Sequence, residues 1–167
     1  MLEKIIADKN LLAIGETGLD KGCTSNYERQ KEVFNLHIEL AHAIHKPLII
    51  HAVKSWNELV PIIAQIRVPI ILHGYSQGLN LTRQLIDLGC YFSAGKLALN
   101  PSASFVEALT IIPLKSLLFE TDDSMIPIEK IYDQVAGLLN VSVELLKNQV
   151  YENYFTIFPE SRELELK

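Results

Sequence analysis

Five apolar runs, each followed by a stretch of helical spacing, constrain this chain more than any other feature. The runs fall at residues 11–16, 48–53, 68–73, 90–93 and 116–122. None shows clean period-2 alternation, so each reads as a strand covered on both faces. Between the first two, Ser25 and Glu28 form a capping-box pattern. The helix it opens carries Val33, Phe34, Leu40, Ala41 and Ile44 at spacings of three and four, and Pro47 follows its end. Further helices are predicted over 56–65, 79–88, from Pro101 to Leu109, 127–139 and 143–155, with a short helical turn over 2–8. Strands separated by helices pair in parallel through right-handed crossovers. The expected fold class is α/β, a single domain over residues 1–167 with no linker or low-complexity tract.

Composition narrows what such a sheet can serve. Fifteen Lys and Arg against twenty Asp and Glu leave a formal charge of −5. That balance excludes a basic nucleic-acid coat and a polybasic membrane segment, which need cations in excess on one face. Nucleic acid stays open as a substrate, because bound metal ions supply positive charge locally. There is no apolar run of roughly eighteen residues, the length a membrane span needs. The first residues, Met1-Leu2-Glu3-Lys4, do not resemble a secretory leader, and Cys23 and Cys90 are the only cysteines. A reducing, cytoplasmic setting is expected.

The chemistry sits where the apolar runs stop. Four of the five end in a carboxylate or an imidazole: Glu16, His51, His73 and Asp122. In parallel α/β proteins the carboxyl ends of the strands carry the active site, because the loops leave there and side chains converge. Any one of these residues has an ordinary structural role open to it, as a hydrogen-bonded core histidine, an ion-pair partner or a helix cap. Two imidazoles and two carboxylates at equivalent strand ends point instead to a divalent-metal site.

These residues lie in segments that resemble the successive motifs of the TatD family. The segments are Ala13-Ile14-Gly15-Glu16-Thr17-Gly18-Leu19-Asp20, Pro47-Leu48-Ile49-Ile50-His51, Leu72-His73-Gly74-Tyr75-Ser76 and Leu118-Phe119-Glu120-Thr121-Asp122. Tyr91, Ser93 and Gly95 resemble the strand between the last two motifs, and Asn153, Tyr154 and Phe155 the closing helix. Each motif alone is weak, whereas the ordered set covers nearly the whole chain. The resemblance implies a (β/α)8 TIM-barrel hydrolase dependent on divalent metal (Zn, Mn or Mg), with many members acting as deoxyribonucleases. By the same resemblance Glu16 bridges two metals, His51 and His73 complete one metal site, and Asp122 belongs to the other and orients the attacking water. Asp20 takes a loop or supporting role.

One family element is not found: no His-x-His occurs among His37, His42, His45, His51 and His73. By the same resemblance the five strands correspond to the last five of eight, and full barrels take about 250 residues. A late-called start or a piece of a longer protein is expected ahead of a natural short form. Open sheet edges would then favour self-association. One metal and weak or absent hydrolysis are expected of this chain, where a complete member holds two ions about 3.5–4 Å apart. His42 and His45, three apart near a helix end, are expected to face solvent.

The implied substrates are phosphodiesters, as DNA ends or short oligonucleotides; Lys54 and Lys96, just past strand ends, read either as phosphate contacts or as solvated surface lysines, and Tyr75 as a stacking surface. Three departures bear on substrate identity: Ala52-Val53 after His51, Gly74-Tyr75-Ser76-Gln77-Gly78 after His73, and Asp123-Ser124 after Asp122. Two other readings stay open. One is a sister amidohydrolase-type metal enzyme, although such sites often bridge with lysine where this chain has Glu16. The other is a degenerate partial barrel that binds or assembles without turnover. Trp56 is expected to pack on the sheet, Cys23 to be an inert loop thiol and Cys90 to be buried.

Overall fold

A computed structural model describes residues 10–162. The helical turn predicted over 2–8 lies outside them. Five strands, β1 (Ile14–Asp20), β2 (Leu48–Val53), β3 (Ile70–Leu72), β4 (Tyr91–Ala94) and β5 (Leu117–Phe119), stand in the sheet in chain order. Among the described residues six α-helices alternate with them or follow the last: α1 (Tyr27–Ile44), α2 (Trp56–Ile63), α3 (Leu79–Asp87), α4 (Ala103–Ile111), α5 (Ile128–Leu139) and α6 (Val143–Ile157). Among the described residues no helix is long and apolar enough to cross a membrane. The chain forms two compact units, Met1–Ile71 with Phe158–Lys167, and Leu72–Ile157.

In the first unit β1 and β2 pair in parallel, with Gly18 opposite His51 and Asp20 opposite Val53. The core holds Leu19, Phe34, Leu48, Ile50 and Leu59, all at most 1 % exposed. Three expectations fail here. The first strand begins three residues later than predicted and runs on through Thr17-Gly18-Leu19-Asp20. It is also not covered on both faces, since Gly15 and Glu16 are exposed. The reason is a register shift between Ile14 and Thr17, which turns this stretch outward before Thr17 and Leu19 return to the core. The predicted capping box also shifts by one residue. Asn26 caps α1, its side chain accepting from the Arg29 N–H at 3.2 Å, while Ser25 Oγ receives a bond from Gln30 Nε2 at 2.8 Å.

In the second unit β4 and β5 pair in parallel through Phe92–Leu117, Ser93–Leu118 and Ala94–Phe119. Phe92, Phe105, Leu72, Leu85, Leu109 and Leu117 fill its core. Ser102 caps α4 through the Phe105 N–H, as a serine at that position is suited to do. Asn153, 2 % exposed, ties α6 to the start of β5: its Nδ2 donates to the carbonyls of Leu114 and Leu117, both at 2.7 Å. Gln149 Nε2 donates to Asn153 Oδ1 at 2.9 Å and so fixes the amide's orientation. Asn153→Leu keeps the volume but strips one buried and one part-buried carbonyl of their donor. A loss of roughly 2–4 kcal/mol is expected, read as a lower urea midpoint with an unchanged m-value.

Candidate metal centre

Glu16 and His51 meet in the first unit. Glu16 Oε1 lies 3.5 Å from His51 Nδ1, and Asp20 Oδ2 lies 3.5 Å from His51 Nε2. Strand pairing sets this up, because His51 stands opposite Gly18, which has no side chain to intrude between β1 and β2. Asp20 is held on both sides. Its Oδ1 accepts from the Gly22 N–H at 2.6 Å and the Cys23 N–H at 3.1 Å, closing the loop that follows. Gln30 of α1 clamps its backbone, accepting from the Asp20 N–H at 2.7 Å and donating to the Asp20 carbonyl at 3.0 Å. Ser55, 1 % exposed, donates to the Leu19 carbonyl at 2.6 Å. The Asp20 side chain therefore serves the loop through one oxygen and faces His51 with the other.

Further bonds fix the surroundings. His37 Nδ1 and Thr17 Oγ1 are 2.8 Å apart, joining α1 to β1. Glu16, Asp20, His37 and His51 line one cleft of about 500 Å³, which Arg29 and Gln30 also border. Beyond the strand end, Lys21 and Lys31 flank Glu58 at 2.5 and 3.2 Å and hold its carboxyl down at about 2. Neither Gln30 nor His37 was singled out from the sequence. Both lie on a helix whose apolar spacing says nothing about which polar side chain reaches the strand.

His73, Glu120 and Asp122 meet in the second unit. His73 directly follows β3, and its Nδ1 lies 2.8 Å from Glu120 Oε1. Its Nε2 is 4.0 Å from Asp122 Oδ2. Asp122 does not end a strand as predicted. β5 stops at Phe119, and Asp122 sits in the turn beyond it with φ 48°, inside a segment closed by the Ser124 N–H to Thr121 carbonyl bond at 2.9 Å. Aspartate tolerates this left-handed conformation better than most residues. Glu120, in the motif but given no role from the sequence, is the nearer carboxylate to His73.

The predicted substrate contacts fare differently. Lys54 is exposed just past β2, with φ 52°. Lys96 is exposed and pairs with Asp123 at 2.9 Å, which raises its pKa. Tyr75 corrects its expectation. It is 2 % exposed, its hydroxyl and that of Thr82 are 2.8 Å apart, and its ring packs edge-on to Phe92 and Phe105. Burial pushes its phenol up to about 12. A core ring of this kind has no face for a base. His42 is likewise less open than expected, since its Nε2 accepts from the Arg67 N–H at 3.0 Å, whereas His45 is exposed at the C-cap of α1.

The two thiols contrast. Burial pushes Cys90 up to about 12, whereas Cys23 is exposed and its pKa is lowered, first by its hydrogen bond with the Ser25 hydroxyl. The thiolate is the reactive species, so its fraction sets reactivity. At pH 8 the native chain is expected to give one thiol to an aromatic disulfide reagent and two after denaturation. The loss of the fast phase in Cys23→Ser identifies it.

Parallel strands with acidic and imidazole side chains at their ends place the fold among (β/α)-barrel hydrolases, of which this chain carries five strands and their helices. The family described as "TatD related DNase" matches residues 1–159, and the chain belongs to that family. It is similar to a protein of Mycobacterium tuberculosis named "Uncharacterized metal-dependent hydrolase TatD", 31 % identical over 131 residues, covering 72 % of this chain and 49 % of that one. It is also similar to the Escherichia coli "Uncharacterized metal-dependent hydrolase YcfH", 27 % identical over 175 residues, 94 % of this chain and 66 % of the relative. Among solved structures, the E. coli TatD homologue YjjV superposes with a TM-score of 0.80 at 23 % identity, over 89 % of this chain and 64 % of that one. An uncharacterized amidohydrolase from Saccharomyces cerevisiae gives 0.81 at 14 % identity, over 94 % and 68 %. The chain thus spans about half to two thirds of the length of these curated relatives.

Proposed function

We propose that this chain is a metal-dependent hydrolase acting on phosphodiesters, with Glu16, His51 and His73 holding a divalent ion and Asp122 orienting the water. The observation that carries the reading is the pairing of His51 with Glu16 at 3.5 Å, on neighbouring strands of one sheet. Glu16 and His51 are both partly exposed, as open ligands must be. The mixed imidazole and carboxylate set fits Zn, Mn or Mg. When bound, the ion acts as a Lewis acid on the phosphoryl oxygen and lowers the pKa of water.

The chain's own residues do the rest. Glu16 brings negative charge to the site, and neutral His51 and His73 each offer one ring-nitrogen lone pair. Asp122, 43 % exposed, accepts a proton from water as a general base. Lys54 and Lys96, past strand ends, contact the phosphate. With a formal charge of −5, the chain suits DNA ends, short oligonucleotides or small phosphoesters better than long duplex. Two unpaired thiols fit a cytoplasmic setting.

The test uses the full chain, stripped with chelator and titrated with Zn2+ or Mn2+ by calorimetry. It is then given bis(4-nitrophenyl) phosphate, end-labelled single strands, a lactone and an amide. One ion per chain and slow, metal-dependent cleavage of the phosphodiesters alone are expected. Turnover of lactone or amide in preference overturns the substrate class, and no metal uptake overturns the reading.

A further inference from the structure

His42 and His45, at the end of α1, have no part in the metal centre. They line a separate cleft of about 400 Å³ with Gln65, Arg67 and Val68, which belong to the segment joining α2 to β3. All five residues lie in the first compact unit. His45 shortly precedes β2, whereas His51 is near the other end of that strand, so the cleft and the metal centre sit at opposite ends of β2.

The cleft offers donors and no acid. No carboxylate lines it, and among the described residues neither the Arg67 guanidinium nor the His45 ring has an ion pair or hydrogen bond. His42 is fixed, because its Nε2 accepts from the Arg67 N–H at 3.0 Å. A ring whose Nε2 lone pair is engaged carries its proton on Nδ1, which leaves that N–H to donate. Gln65 is held as well, its Nε2 donating to the Pro61 carbonyl at 3.2 Å.

Two helices end here, and helix C-termini ordinarily disfavour anions. Their last carbonyls, however, have partners of their own. In α1 the Ala41 carbonyl accepts from the Lys46 N–H at 3.1 Å and the His42 carbonyl from the His45 N–H at 3.4 Å. In α2 the carbonyls of Val60, Ile62 and Ile63 accept from the backbone N–H groups of Ala64, Gln65 and Ile66, and that of Pro61 from the Gln65 side chain. The full charge of Arg67 has no such partner.

We infer that this cleft binds an oxyanion of the phosphate class, gripped by the Arg67 guanidinium with the His42 Nδ1–H and the His45 ring as further donors. A guanidinium presents its N–H groups in a planar fork that matches two phosphate oxygens. The imidazoles then serve a third oxygen, which phosphate has and a carboxylate lacks. At a formal charge of −5 the chain as a whole repels anions, so uptake depends on these side chains. The inference stands apart from the hydrolase reading, since it uses none of that site's residues.

The test is a titration of the chelator-treated full chain with inorganic phosphate at constant ionic strength, followed in proton–nitrogen spectra. The Arg67 amide and the His42 ring are expected to shift saturably, with one phosphate per chain, while the signals of Glu16 and His51 stay in place. Arg67→Gln, a change at an exposed side chain, weakens binding read at His42 by about 10–100-fold, the worth of a charge-assisted hydrogen bond. Lys130→Gln, which removes an equal charge from α5, leaves the affinity as it was. Methyl phosphate binding as tightly assigns the site to phosphate monoesters, and binding of inorganic phosphate alone assigns it to the free ion. No saturable shift at tens of millimolar, shifts centred on Glu16 and His51, or equal weakening in the two variants overturns the inference. Acetate at equal affinity overturns the phosphate class. The wild-type titration decides even if a variant fails to fold.

Discussion

Gly18→Ala is expected to destabilise this chain by about 3–5 kcal/mol, from crowding added to backbone strain. Gly18 has φ 149°, where side chains are rarely accepted, and a Cβ there would lie 2.0 Å from the His51 carbonyl oxygen and 3.0 Å from its carbon. These are backbone atoms, so no rotamer relieves the overlap. β1 would have to part from β2 at the point where His51 is presented, unseating the fully buried Leu19 beside it. Gly89→Ala is the comparison: φ is 74° there, but nothing lies within 4 Å of the added carbon. Only the conformational cost remains, roughly 1–2 kcal/mol. Urea midpoints read both losses. Equal losses would show that close approach to His51 is not what excludes a side chain at Gly18.

The glycine that matters most here marks the limit of what the sequence discloses. The apolar runs announce five strands, because a buried parallel strand has few polar residues to interrupt it, and all five appear in order. Their ends are less legible. The glycines and polar residues of Gly15-Glu16-Thr17-Gly18 look like a strand coming to a stop, yet β1 continues through them. What carries it on is the pairing with β2, a long-range contact that no local pattern encodes. In the opposite sense, Glu120-Thr121-Asp122 extends an apolar run in the sequence, while the ladder with β4 ends at Phe119.

The candidate site divides along the same line. Glu16, His51, His73 and Asp122 are legible because each closes an apolar run and because the ordered motifs resemble one family. Their supports are not. Glu120 sits two residues before Asp122, and nothing in that spacing says it reaches His73 more closely than Asp122 does. Gln30's grip on Asp20 joins residues ten apart through a helix and a loop. Tyr75 shows the converse failure. An aromatic beside a metal-binding motif looks like a stacking surface, but the loop after β3 turns its ring into the core against Phe92 and Phe105.

His51→Ala separates a functional loss from a structural one. His51 is 39 % exposed by its side chain, near the end of β2, so truncation is expected to cost the metal-free fold no more than about 1 kcal/mol. Its removal takes one of the three proposed ligands and leaves Glu16 and Asp20 without the imidazole that stands between them. A loss of at least about 100-fold in metal affinity is expected, roughly 2.7 kcal/mol. The two effects part cleanly in a thermal experiment, because an ion that binds only the folded chain stabilises it by RT ln(1 + c), with c its free concentration divided by its dissociation constant. At 100 times its dissociation constant, Zn2+ or Mn2+ stabilises the wild type by about 2.7 kcal/mol. For a chain of this size that raises Tm by roughly 5–11 °C. His51→Ala should melt near the wild type without metal and show little or no rise at the same metal concentration. An equal rise in both would place the ion elsewhere and remove His51 from the site, whatever the family resemblance implies.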